Sequence, residues 1–141
     1  MVMSEFVDVN YFAVLAGAVA NMVLGFLWFG PIFGKQWMKL MGVKSNKMSK
    51  DQEAKMPMTY STSFALAIVM SFVMAIVIDF AYANTLILGA KIGFMCWLGF
   101  VLATHANSAL FENKPKEQVM ISTGYYLIAL IVMGIIHAVW V

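Results

Sequence analysis

Residues 61–82 read STSFALAIVMSFVMAIVIDFAY and residues 86–110 read LILGAKIGFMCWLGFVLATHANSAL, with Ala83-Asn84-Thr85 between them. A helix crossing the hydrocarbon core of a bilayer needs about 20 mainly apolar residues. Both stretches meet that length, and so short a link makes them antiparallel. Reading outward finds two more such runs, Tyr11 to Phe29 and Val119 to Trp140. All four are apolar on every side without sustained alternation, so they read as helices and not as barrel strands. The expected fold is all-α: one integral membrane domain over residues 1–141, a four-transmembrane-helix bundle with a loop at 30–60.

Composition agrees. The 141 residues are 62% hydrophobic and 11% charged, with a mean hydropathy of +0.84, where a soluble domain carries roughly 25% charged residues. All nine basic residues are lysine, which argues against the planar, bidentate recognition of phosphate for which arginine is suited. With no basic groove laced with aromatics, nucleic acid is not an expected partner. The single Cys96 excludes an internal disulfide or a paired-cysteine metal site. The first ten residues contain Glu5 and Asp8 and no lysine, the wrong charge for a secretory signal, so the first run reads as a retained helix.

Orientation follows from the lysines. Six of them, from Lys35 to Lys55, lie between the first two runs; Lys114 and Lys116 lie between the last two; Lys91 alone falls elsewhere. Eight against one places both loops in the cytoplasm and both termini outside, in a multi-pass protein of the cell (inner) membrane. In the long loop, Trp37, Leu40 and Met41 share one helical face with Lys35 and Lys39 turned away, the pattern of a short interfacial helix. Ser49-Lys50-Asp51-Gln52 resembles a capping box opening another. The loop lysines are expected to meet anionic lipid headgroups. Trp28, Gly30, Pro31, Gly34 and Trp37 form an interfacial corner, with the proline ending the span and Gly34 allowing the bend.

The stretch from Leu24 to Met38, LGFLWFGPIFGKQWM, resembles the signature of small membrane proteins grouped as the domain of unknown function 1761 family. Gly124-Tyr125-Tyr126-Leu127 through Gly134 to Trp140 is similar to that family's last helix. Asn10-Tyr11, and Leu110-Phe111-Glu112 with Pro115, resemble it too. The resemblance covers essentially the whole chain. It implies four membrane helices of this topology and brings no activity.

Ionisable groups near mid-bilayer cost roughly 2.5–3.5 kcal/mol each on insertion scales, so each asks for a reason. Asp79 lies six residues before Thr85 and Lys91 six after it, which puts them at one depth; His137 comes out near the same level. These three form a candidate outer polar cluster, against the simpler reading that Lys91 snorkels. An inner polar cluster gathers Asn21, Thr104, His105, Asn107, Ser108, Ser122 and Tyr125, against ordinary interhelical hydrogen bonding. Gly17, Asn21, Gly25 and Trp28 recur at helical spacing, as do Gly89, Gly93 and Trp97. Small residues let helices approach closely, so Gly17, Gly25, Gly89 and Gly93 mark packing seams, within the chain or between copies.

No Ser–His–acid set, catalytic carboxylate pair or glycine-rich phosphate loop is present, and the histidines carry no metal-ligand spacing. No catalytic residue, metal or cofactor is therefore expected, and an enzyme is not. Two function classes remain. One is a small-solute or ion transporter or channel, working as a homo-oligomer because one four-helix bundle is too small to enclose a wide path. The other is an accessory or structural membrane protein whose lysine-rich loop binds lipid or a partner. A water-accessible path joining Asn21 to both clusters would favour the first, a dry bundle the second.

Overall fold

The computed structural model describes residues 9–40 and 50–140. In chain order the helices are α1 (Tyr11–Leu27), α2 (Gly34–Leu40), α3 (Lys50–Phe80), α4 (Leu86–Cys96), α5 (Ala103–Glu112) and α6 (Lys116–Val139). A π-helical turn, Trp28–Ile32, extends α1, and a second, Trp97–Leu102, fuses α4 to α5. Four helical stretches are long and apolar enough to cross a membrane: Tyr11–Ile32, Ala54–Phe80, Leu86–Glu112 and Lys116–Val139, here spans 1 to 4. The all-α four-span architecture expected from the hydropathy pattern is the one observed.

Local chemistry sets the boundaries. Asn10 caps α1, its side-chain oxygen accepting from the N–H of Phe12 at 3.1 Å and of Ala13 at 3.2 Å. Thr85 caps α4 by accepting from Leu88 N–H at 3.2 Å. Each satisfies donors that the first helical turn leaves unpaired. Tyr82 (φ 53°) closes the turn after α3, and Asn113 (φ 55°) takes the left-handed position that ends α5. Pro115 then sits just before α6, where its missing N–H costs nothing.

The corner after span 1 departs from its expected form. Pro31 does not stop the helix outright; it lies inside the π-turn. A proline cannot donate to the regular ladder, and the ladder widens so that Phe33 N–H reaches the Trp28 carbonyl, five residues back, at 2.9 Å. Gly34 is there for room: a Cβ would stand 2.9 Å from the Phe29 carbonyl oxygen. The short helix expected after the corner is α2. Of that expected face Leu40 is the last residue of α2, while the side chain of Trp37, and Met41, lie outside the described residues. The second loop helix is no separate element, because α3 runs unbroken from Lys50 through Pro57 into span 2; Ser49 of the expected capping box is again outside the described residues. At 1.5 Å per residue the 31 residues of α3 measure about 46 Å, so roughly 16 Å projects beyond a ~30 Å core.

Span 4 is the centre of the bundle. It packs on every other span, and it is the most buried, 39% of its apolar window against 11% for span 3. Span 3 rests almost wholly on span 4, whereas spans 2 and 3, joined by the short turn, scarcely touch. The hairpin is therefore splayed. Met74 of span 2 meets Leu130 and Met133 of span 4 in the core, and Ile78, Ala83 and Ala138 form a second cluster toward the turn. Elsewhere large apolar side chains point outward, Phe12, Phe100 and Phe111 each more than 70% exposed, as a lipid solvent permits.

Candidate functional site

Two stripes carry the packing on span 4, and each ends in a tryptophan. On span 1, Gly17 faces Ser71 and His137, Asn21 and Gly25 face Tyr125, and Trp28 lies over Gly124. On span 3, Gly89 and Gly93 lie against the backbone of Gly134 and Leu130. The Trp28 indole N–H donates to the Ile121 carbonyl at 2.8 Å, and the Trp97 indole to the Thr123 carbonyl at 2.7 Å. Two residues along a helix turn about 200°, so the tryptophans clamp span 4 from opposite sides. The glycines that composition left open to a second copy are occupied inside the chain.

The packing leaves a groove of about 540 Å³ between spans 1, 2 and 4. Phe26, Phe29, Tyr60 and Tyr126 give it aromatic walls, Ser63 and Met70 lie along it, and Asn21 and Tyr125 form its deep end. The Tyr125 hydroxyl is 2.8 Å from Asn21 Oδ1 and 2.9 Å from the Asn21 carbonyl, donating to both. Asn21 is 6% exposed. Among the described residues Nδ2 has no partner, and no buried side-chain nitrogen or oxygen goes unpaired. That amide nitrogen is therefore open to the groove, a donor at membrane depth.

The expected inner cluster divides in two. Asn21 and Tyr125 belong to the groove just described. Thr104, His105, Ser108 and Ser122 line a separate polar recess of about 220 Å³ between spans 3 and 4, near Lys114. Asn107 is exposed and lines neither. Thr104 Oγ1 donates to the Phe100 carbonyl at 2.5 Å and the Val101 carbonyl at 3.0 Å, and His105 Nδ1 donates to the Val101 carbonyl at 2.9 Å. Both residues thus serve carbonyls of the π-turn, where the regular ladder is disturbed.

The outer three are not brought together. Asp79 and Lys91 are exposed, and among the described residues they form no ion pair. His137 is buried instead, its Nε2 3.0 Å from Ser71 Oγ. Ser71 is fully buried and was missed in the sequence; its signal was a lone small polar residue midway along the apolar run 61–82. Gly134 was missed as well, although it is the residue on span 4 that lets Gly89 approach. Among the described residues no three of His, Cys, Asp and Glu gather as metal ligands.

With this geometry in place, comparison with known proteins adds one finding. The family model described as Protein of unknown function (DUF1761) matches residues 12–138. No curated protein and no solved structure matches the chain.

Proposed function

Since the chain belongs to the DUF1761 family of proteins of unknown function, and that description names no activity, we propose a function from the site itself: an oligomeric transporter or channel for a small solute or ion, with the groove between spans 1, 2 and 4 as its binding site. The observation that carries this reading is the Asn21 amide, a hydrogen-bond donor held by Tyr125 at the deep end of an aromatic-walled groove of about 540 Å³. A polar group at that depth is costly unless it is used. It suits a solute that presents an acceptor oxygen and a body small enough to lie among Phe29, Tyr60 and Tyr126.

The groove is open along one side, so a second copy would supply the missing wall. Beyond Asn21 the Ser71–His137 bond and the Met74, Leu130 and Met133 core close the bundle. The groove is thus reached from the lysine-rich end, which the lysine distribution assigns to the cytoplasm with both termini outside. The same closed core favours a second reading, an accessory or structural membrane protein in which Asn21 and Tyr125 only join helices.

Flux separates the two. Purified protein in vesicles is challenged with gradients of small neutral and ionic solutes, and swelling is followed by light scattering against protein-free vesicles. A transporter gives protein-dependent flux for at least one solute, reduced at least tenfold in Asn21→Leu. Flux absent across the panel, or unaffected by Asn21→Leu, favours the accessory reading.

A further inference from the structure

The splayed hairpin creates a second groove, which borders the solute groove at Met70 and Tyr126. It lies between spans 2 and 3, with span 4 as its floor, and holds about 400 Å³ among side chains such as Val73, Met74, Cys96, Phe100 and Leu130. His105 and Tyr126 are the polar residues on its lining, and His105 also lines the recess of Thr104, Ser108, Ser122 and Lys114. The apolar groove and the polar recess therefore meet at the His105 ring. We propose that together they hold one glycerophospholipid of the surrounding leaflet, its phosphate in the recess and an acyl chain in the groove.

Three observations commit the site to that occupant. First, polarity runs in the direction of a lipid. The recess lies beside the Asn113–Pro115 link, at a bilayer boundary, and the apolar part runs from His105 inward to Cys96. Second, the length agrees: His105 to Cys96 is nine residues, about 14 Å of helix, close to half of a ~30 Å hydrocarbon core. Third, the recess offers donors. Among the described residues the Ser108 and Ser122 hydroxyls have no hydrogen-bond partner, and none is buried without one, so both are open to the recess. The Lys114 ammonium is 2.9 Å from Glu112 and keeps two further donors. The solute groove has the opposite gradient, polar at its deep end, and does not suit a lipid.

The test is lipid retention by native mass spectrometry after exchange into detergent, with phosphatidylglycerol and, as the comparison lacking phosphate, diacylglycerol of the same chains. Val73 is half exposed beside the groove, so Val73→Trp fills it from the lipid side without burying a new group in the core. Ser122→Leu removes a donor from the recess. The wild type retains one phosphatidylglycerol and at least tenfold less diacylglycerol. Val73→Trp and Ser122→Leu each lower phosphatidylglycerol retention at least tenfold at an unchanged melting temperature. A wild type that retains none, equal retention of the two lipids, or undiminished retention in a folded Val73→Trp overturns the proposal. Should Val73→Trp fail to fold, Phe100→Ala, at an exposed groove-edge position, takes its place: shortening that wall lowers retention, and unchanged retention overturns the site.

Discussion

Spans 1 and 3 do the same job on opposite sides of span 4 and do it with different chemistry. Each runs in the same direction, carries a stripe of small residues, and ends in a tryptophan that donates to a span 4 carbonyl. Each tryptophan opens a π-turn, in Trp28-Phe29-Gly30 and in Trp97-Leu98-Gly99. The stripe of span 3 is glycine against backbone, with no space left over. That of span 1 has Asn21 and, facing it on the partners, Tyr125 and Ser71, so hydrogen bonds take part in the contact and a groove remains beside it. Glycine packed on backbone leaves no room for a ligand within the contact itself, whereas a hydrogen-bonded contact with larger aromatic neighbours does. The candidate solute site therefore lies on the side of span 1.

The largest effect is expected where backbone meets backbone. A Cβ on Gly93 would overlap the Leu130 carbonyl oxygen and stand 2.8 Å from its carbon; one on Gly89 would stand 2.7 Å from Ala138 Cβ. Neither neighbour has a rotamer to give. Gly93→Leu should cost about 3 kcal/mol or more, the upper range for overpacking, measured by reversible unfolding in mixed micelles. Gly99→Ala is the control, since a Cβ there meets nothing within 4 Å; it should change stability by less than about 0.5 kcal/mol. A Gly93→Leu protein as stable as the control would remove the contrast between the two sides.

On span 1 the expected effect is smaller and can be relieved. A Cβ on Gly17 would overlap Ser71 Oγ, while Ser71 Cβ at 3.3 Å and His137 Nε2 at 3.6 Å leave tolerable space. The hydroxyl can rotate away, losing its bond to His137, so Gly17→Ala should cost about 1 kcal/mol, the scale of an interhelical hydrogen bond in a membrane. Ser71→Ala removes the obstacle along with the bond. The double variant should then be no less stable than Ser71→Ala alone, within about 0.5 kcal/mol. Additive losses would show that Gly17 is not kept small by Ser71.

The four spans were legible because the bilayer imposes a length and an apolar composition that residues 11–29, 61–82, 86–110 and 119–140 display directly. Both stripes were legible too, since Gly17-Asn21-Gly25-Trp28 and Gly89-Gly93-Trp97 keep helical spacing. Which helix each stripe met was not, because periodicity fixes a face and leaves its partner open. Depth alone grouped Asn21 and Tyr125 with Thr104, His105 and Ser122, yet the first two lie between spans 1 and 4 and the others between spans 3 and 4. The π-turns were equally hidden. Pro31 gave a reason for the first, but nothing in Trp97–Leu102 breaks a helical pattern. The continuity of α3 was hidden as well: the expected short loop helix and the second span are one helix that runs on through Pro57.

A direct link between spans 2 and 3 would break the comparison most simply, because span 3 would then be held from two sides. Asp79 and Lys91 are the residues placed to make one, at matching distances from the turn. Antiparallel neighbours with opposite charges at one depth are expected to pair only if the helices also face each other, and here they diverge, both groups exposed and unpaired with each other. Asp79→Asn and Lys91→Met should therefore each change stability by less than about 0.5 kcal/mol. Their combination should equal the sum within about the same margin. The measurement is the unfolding cycle of wild type, two single variants and the double variant in one lipid. A coupling well above that margin would mean that the hairpin closes in a bilayer. In that case the groove that it leaves for a phospholipid would be narrowed along with it.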